Sequence, residues 1–188
     1  MSQGQGDAFA ASGARCGQIM LGKYRVERLI GRGGMGEVYE ARHVVVGRRF
    51  AIKFLKQGST GGRDAHARFL REAQAAGALD NEHIAAVIDF DLAADGASFL
   101  VMEYLNGESL TAALQREGVL PLRRVVGILL QVCDGLAAAR DAGIVHRDLK
   151  PDNVFILPRS DAPELVKILD FGVAKLVRGQ EDGSETQS

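Results

Sequence analysis

Several large classes of protein are excluded by what this chain has little of. Two cysteines among 188 residues, Cys16 and Cys133, build no disulfide framework and show no zinc spacing. Such sparse cysteine suits a reducing compartment, and the expected location is cytoplasmic. A formal net charge of −1 offers no basic field to nucleic acid. No apolar run approaches the ~18 residues that a membrane span needs. Candidates such as Ser98–Met102 and Ile128–Leu130 are core-sized. The N-terminus has neither the charged start nor the apolar centre of a secretory signal. No internal repeat is present.

What is present is the balance of a globular protein, 46% hydrophobic and 25% charged. A chain of 188 residues accommodates one ordinary domain or two small lobes. Residues 1–20 open with Gly, Ser, Gln and Ala, which bury too little surface to offset ordering entropy. That segment is expected to be disordered.

From Tyr24 to Glu103 the pattern is mostly strand. Tyr24–Ile30 alternates, a glycine loop turns the chain, and Glu37–Ala41 returns, which predicts a hairpin around a long flexible tip. Arg48–Leu55, Ile84–Asp91 and Ser98–Glu103 complete an expected five-stranded antiparallel sheet, with one helix over residues 63–79. After Gly107 the character is helical. Ser109 caps a short helix ending near Gly118. A longer helix is expected from Leu122 to Ala142, with Leu122, Val126, Leu129, Val132 and Leu136 as its apolar stripe. Cys133 on this helix reads as a small core residue. Val154–Leu157 and Leu165–Leu169 form a ribbon around the turn at residues 161–164. The fold class is therefore α+β. The division is 21–105 for a sheet-rich lobe and 106–177 for a helical one, with a polar tail at 178–188. A ligand is expected in a cleft between two such lobes.

Three motifs carry chemistry. Gly31-Arg32-Gly33-Gly34-Met35-Gly36-Glu37-Val38 is glycine-rich. A backbone approaches phosphate oxygens closely only where no Cβ intrudes. Here the glycines join two strands rather than open a helix, which argues against a dinucleotide-binding fold. Taken alone the motif reads equally as a hairpin tip. Val38 is apolar and able to cover a flat ring. Lys53 lies in an apolar strand, with Ala51 on the same side leaving room for a base. Glu72 shares a helix face with Phe69, Ala73 and Ala76, and a carboxylate on a buried face needs a cation. Lys53 is that cation in the functional reading. Its local competitor is Arg68, which would form a surface pair worth little.

The second motif is His146-Arg147-Asp148-Leu149-Lys150-Pro151-Asp152-Asn153. Pro151 forbids a continuing helix, so Asp148 and Asn153 must converge through loop geometry. Asp148 is placed to accept a hydroxyl proton and Lys150 to neutralise charge on a transferred phosphoryl group. Asn153 offers a neutral oxygen to a hard cation such as Mg²⁺. The third motif, Asp170-Phe171-Gly172, adds a carboxylate for the metal, a packing residue and a backbone joint.

The set, in this order, resembles the protein kinase signature over about Tyr24 to Lys175. Lys150 in the second motif is similar to serine/threonine rather than tyrosine kinases. Gly34–Tyr39 and Phe69–Ala73 resemble the eukaryotic-like Ser/Thr kinases of bacteria. The resemblance implies a two-lobed kinase fold with ATP and Mg²⁺ as cofactors and a protein Ser/Thr hydroxyl as acceptor. It implies ATP binding by Ile30, Gly31, Arg32, Gly33, Gly34, Met35, Gly36, Val38, Ala51, Lys53 and Glu72. Glu103 to Leu105 becomes the base-binding hinge, with Met102 as gatekeeper. Asp148 and Lys150 become catalytic, and Asn153 and Asp170 metal ligands. Arg147 would pair with a phosphate on an activation loop, where Ser184, Thr186 and Ser188 are candidate autophosphorylation positions. The family's Ala-Pro-Glu motif and later helices are absent, so an incomplete helical lobe is expected. A pseudokinase-like nucleotide-binding or interaction module, with little or no phosphotransfer, is the alternative reading.

Overall fold

A computed structural model describes residues 13–34, 36–55, 74, 77–160 and 162–171. The chain divides into two units, Met1–Gln57 with Ile88–Tyr104, and Gly58–Val87 with Leu105–Ser188.

The first unit is built on a sheet of order β1-β2-β3-β4-β6-β5. Its strands are β1 (Ile19–Met20), β2 (Tyr24–Gly33), β3 (Gly36–His43), β4 (Arg49–Leu55), β5 (Val87–Leu92) and β6 (Ser98–Glu103). The pairs β1–β2, β2–β3, β3–β4 and β4–β6 are antiparallel. Successive side chains alternate between the two faces. One face carries Val26, Tyr39, Ala41, Phe50, Ile52, Phe54, Phe99 and Val101, which form a buried cluster. Residues Met20 and Cys16 join that cluster, so the part of residues 1–20 from 13 onward is ordered rather than disordered. The cause is specific: β1 adds a sixth strand, and the Arg15 guanidinium lies 4.1 Å from the Phe54 ring centroid while reaching Asp95 at 2.6 Å.

The glycine hairpin is tighter than the sequence suggests. Pairing continues to Gly33 opposite Gly36, leaving two residues at the tip instead of a long one. Arg32 and Glu37 face each other across the strands and pair at 2.9 Å, which zips the ladder outward. Gly36 is obligatory on two counts. Its φ is +148°, and a Cβ there would strike the Phe54 carbonyl.

The second unit contains β7 (Glu108–Ser109), α1 (Leu110–Glu117), α2 (Leu122–Asp141), a 3₁₀ turn at Pro151–Asn153, β8 (Val154–Leu157) and β9 (Leu165–Ile168). Ser109 caps α1 by accepting the Ala112 amide at 3.2 Å, and Gly118, with φ of +72°, ends it. β7 joins the expected ribbon as a third strand, order β7-β8-β9. The reading of Ile84 as strand is corrected: it makes an isolated bridge to Ile168, and β5 begins at Val87.

Helix α2 packs by a stripe that keeps only part of the expected one, Val132 in the core and Leu136 packed against it. Ile128, Val132, Gly135 and Ala139 are buried, whereas Leu122, Val126 and Leu129 are exposed. Cys133 is exposed too, which corrects its reading as a core residue. Small residues decide the orientation. Gly135 lets the helix backbone approach β9 closely, since a Cβ there would lie 3.1 Å from Ile168 Cδ1. Polar contacts hold the same arrangement. Arg124 forks onto Glu164 at 2.8 and 2.9 Å, and Gln131 accepts from the Val166 amide and donates to the Glu164 carbonyl. Leu79, Ile84, Val154, Ile156, Val166, Ile168 and Phe171 complete this unit's core. The expected helix at residues 63–79 falls almost wholly outside the described residues.

Candidate active site

The sequence-derived residues fall into one set in each unit. In the first unit they share the sheet face opposite the buried cluster. Residues directly opposed in register lie on one face. Val38 opposes Lys53, Lys53 opposes Leu100, and Ala51 opposes both Glu40 and Met102. Val38, Ala51, Lys53 and Met102 therefore form one patch, with Gly31 paired to Val38 at its edge. Lys53 is only 6% exposed, so it is buried within this patch rather than a surface lysine. Burying an ammonium group demands compensation. Ile30, Arg32, Gly33 and Gly34 continue along the hairpin, and Glu103 ends β6. Met35 and Glu72 lie outside the described residues, and so does the expected Lys53–Glu72 pair.

In the second unit the His146–Asn153 loop closes on itself around Asp148. The Asn153 side-chain amide donates to the Asp148 carbonyl at 2.8 Å and to its Oδ2 at 3.3 Å. Lys150 Nζ donates to the same Oδ2 at 2.9 Å. That bond, with the nearby Asp152 and Asp170 charges, raises the Lys150 pKa and keeps it cationic. Pro151 opens the short turn, and the Asn153 amide returns to the Lys150 carbonyl at 2.9 Å. The turn brings Asn153 and Lys150 back to Asp148, as the loop chemistry required.

Asp170 is tied to this loop through its neighbours. The Leu169 amide donates to the Asn153 carbonyl at 2.8 Å. The ring of His146, which is buried, spans the two segments. Its Nδ1 accepts the Asp148 amide at 3.3 Å, so Nε2 carries the proton and donates to the Leu169 carbonyl at 2.7 Å. The same ring meets Phe171 edge-on, centroids 4.7 Å apart. Arg147 and Asp170 both hold left-handed backbones, φ of +63° and +67°. Non-glycine residues in that region carry strain and cluster at functional sites.

The sequence reading named His146 within its motif but gave it no role. The signal was available, since a histidine two residues before a loop aspartate is placed to hydrogen-bond its amide. Gly172 and the candidate modification positions Ser184, Thr186 and Ser188 lie outside the described residues. Among the described residues, no helix is long and apolar enough to cross a membrane.

An antiparallel sheet with a glycine hairpin, and a second unit whose proline-turned loop gathers Asp, Lys and Asn beside an Asp-Phe pair, define the kinase-like α+β class. The model of the protein kinase domain matches residues 24–188, and the chain belongs to that family. It is 44% identical over 167 residues to serine/threonine-protein kinase pkn3 of Myxococcus xanthus, covering 89% of this chain and 30% of that protein. It is 42% identical to serine/threonine-protein kinase PknA of Mycobacterium tuberculosis, covering 87% of this chain and 38% of that one. Among solved structures, the Mycobacterium tuberculosis PknI kinase domain aligns at a TM-score of 0.72 and 30% identity, over 85% of this chain and 64% of that domain. The chain thus spans well under half the length of these curated relatives.

Proposed function

We propose that this chain carries the nucleotide-binding and catalytic-loop portion of a protein Ser/Thr kinase, using ATP and Mg²⁺. The observation that carries the reading is the convergence of Lys150 and Asn153 on Asp148, with Asp170 held beside them through Leu169. Relatives named serine/threonine-protein kinases support it.

The donor set fits a magnesium–nucleotide complex. Mg²⁺ takes one or two protein oxygens and completes its shell from phosphates and water. Asn153 uses its Nδ2 on Asp148, which leaves Oδ1 as an acceptor, and Asp170 follows Leu169, whose amide bonds the Asn153 carbonyl. Bound Mg²⁺ would neutralise charge on the phosphates and polarise the transferred phosphoryl group.

The chain's own residues then do four things. Gly31, Gly33, Gly34 and Gly36 let backbone amides approach phosphate oxygens. Lys53 directs its ammonium to the α- and β-phosphates. Val38, Ala51, Met102 and the Glu103–Leu105 segment enclose the base. Asp148 accepts a hydrogen bond from the acceptor hydroxyl and takes its proton, while Lys150 stabilises developing negative charge. Lys150 already shares Asp148 Oδ2, so it also fixes the carboxylate's orientation. Residues 21–105 are proposed as the kinase N-lobe and 106–177 as a partial C-lobe, with Ser184, Thr186 and Ser188 as autophosphorylation positions and the cytoplasm as compartment.

Incubation with labelled ATP and Mg²⁺, beside Asp148→Ala, tests the reading. Binding by both with phosphate incorporation only by the parent is expected. Binding with incorporation by neither would favour the interaction-module alternative.

A further inference from the structure

The first unit contains a buried carboxylate that the proposed chemistry does not use. Glu40 on β3 is 4% exposed. Its strand neighbours Tyr39 and Ala41 belong to the buried cluster, so Glu40 points to the other face, the one carrying Val38, Ala51 and Lys53. Two arginines from the flanking strands reach it. Arg28 Nη2 of β2 lies 2.5 Å from Oε2, and Arg49 Nη1 of β4 lies 3.8 Å from Oε1. Oε2 is buried without a directed hydrogen bond, so charge rather than bond geometry holds Arg28 there. Arg49 extends the chain of contacts: its guanidinium stacks over the Tyr104 ring, 4.3 Å from the centroid.

The ends of this chain of contacts matter. Arg28 precedes Gly31 by three residues, at the root of the glycine hairpin. Tyr104 lies within Glu103–Leu105, the segment proposed above to bind the base. We propose that Glu40 is a positioning residue that fixes the width of the base slot, by tying the hairpin root to the base-binding segment through Arg28, Arg49 and Tyr104. This rests on the nucleotide reading of the same face. A purely structural ion cluster would be cheaper as apolar packing, because burying a carboxylate is costly even when it is paired. Its position on the ligand face, rather than in the core, is what a spacing element requires.

The test is nucleotide affinity in the 188-residue chain, with Mg²⁺-ATP and adenosine as probes and thermal unfolding in parallel. In Glu40→Gln, affinity for both probes is expected to fall by the same factor, roughly tenfold for a coupled contact network. In Glu40→Gln combined with Arg49→Ala, the loss should be no greater than in either single variant. Arg49→Lys keeps the charge beside Glu40 but gives up the planar stack on Tyr104. It should weaken both probes with the unfolding midpoint unchanged, which guards against misfolding as the explanation. Unchanged affinity in Glu40→Gln or Arg49→Lys, a loss confined to ATP, or additive losses would overturn the inference. Failure of the parent to bind either probe would instead overturn the nucleotide reading, and this inference with it.

Discussion

Asn153 holds Asp148 by two bonds from one side-chain amide, at 2.8 Å to its carbonyl and 3.3 Å to its carboxylate. One neutral residue thereby fixes both the backbone and the side chain of the proposed base. Asn153 is itself buried, so nothing in solvent can substitute for it.

Asn153→Ala should therefore act on stability and turnover together. Leaving the Asp148 carbonyl unpaired costs about 1–3 kcal/mol. Urea unfolding should register that loss, and phosphate incorporation should fall further than unfolding accounts for. Asn153→Asp should fare no better, because it sets a second carboxylate against Asp148.

Gly135→Ala sets two effects against each other. Alanine favours a helix interior over glycine by about 1 kcal/mol. The new Cβ would lie 3.1 Å from Ile168 Cδ1 and 3.2 Å from the His83 carbonyl. Overpacking of that kind costs about 1–3 kcal/mol, and backbone is one of the two obstacles, so the collision should win. Denaturant unfolding should show a less stable chain. A more stable Gly135→Ala would show that α2 sits further from β9.

Tyr39 supplies a dependence on alkaline pH. Burial first, then its hydroxyl bond to Glu37 at 2.7 Å, pushes the Tyr39 pKa up to about 12 from 10.0. A raised folded-state value means the folded chain keeps the proton longer than the unfolded chain. The stabilisation is complete below the unfolded value of 10.0 and is lost as pH rises toward 12. The difference corresponds to roughly 3 kcal/mol. Unfolding of the parent and of Tyr39→Phe should converge as pH rises from 10.0 toward about 12, on the strength of that same linkage. A gap that stays constant across this range would remove the Tyr39 hydroxyl from the account.

Much of this fold was legible because short-range rules and long-range packing agree in it. The Ser109 cap, the Gly118 stop and the breaker Pro151 each act within a few residues, and each lies where its chemistry predicts. The proposed site residues stand out as motifs, since each motif concentrates unusual groups within eight positions. Features set by partners distant in sequence were not. The buried stripe of α2 depends on Gly135 facing Ile168, which no periodicity in the helix itself encodes. Apolar spacing placed Val132 and Leu136 correctly but not Leu122, Val126 and Leu129, which are exposed. Ordering of residues 13–20 depends on Phe54 and Asp95, contributed from far along the chain. The two-residue tip of the glycine hairpin depends on the Arg32–Glu37 pair, which is visible only once the register is known. His146 escaped notice as a linker because its second contact, Leu169, lies 23 residues away.

The proposed function requires Lys53 and Asp170 each to contribute to the binding of Mg²⁺-ATP. Titration of Mg²⁺-ATP into the parent, Lys53→Met and Asp170→Asn measures this directly. Each single change should weaken binding. A single variant that binds Mg²⁺-ATP as tightly as the parent would contradict the account.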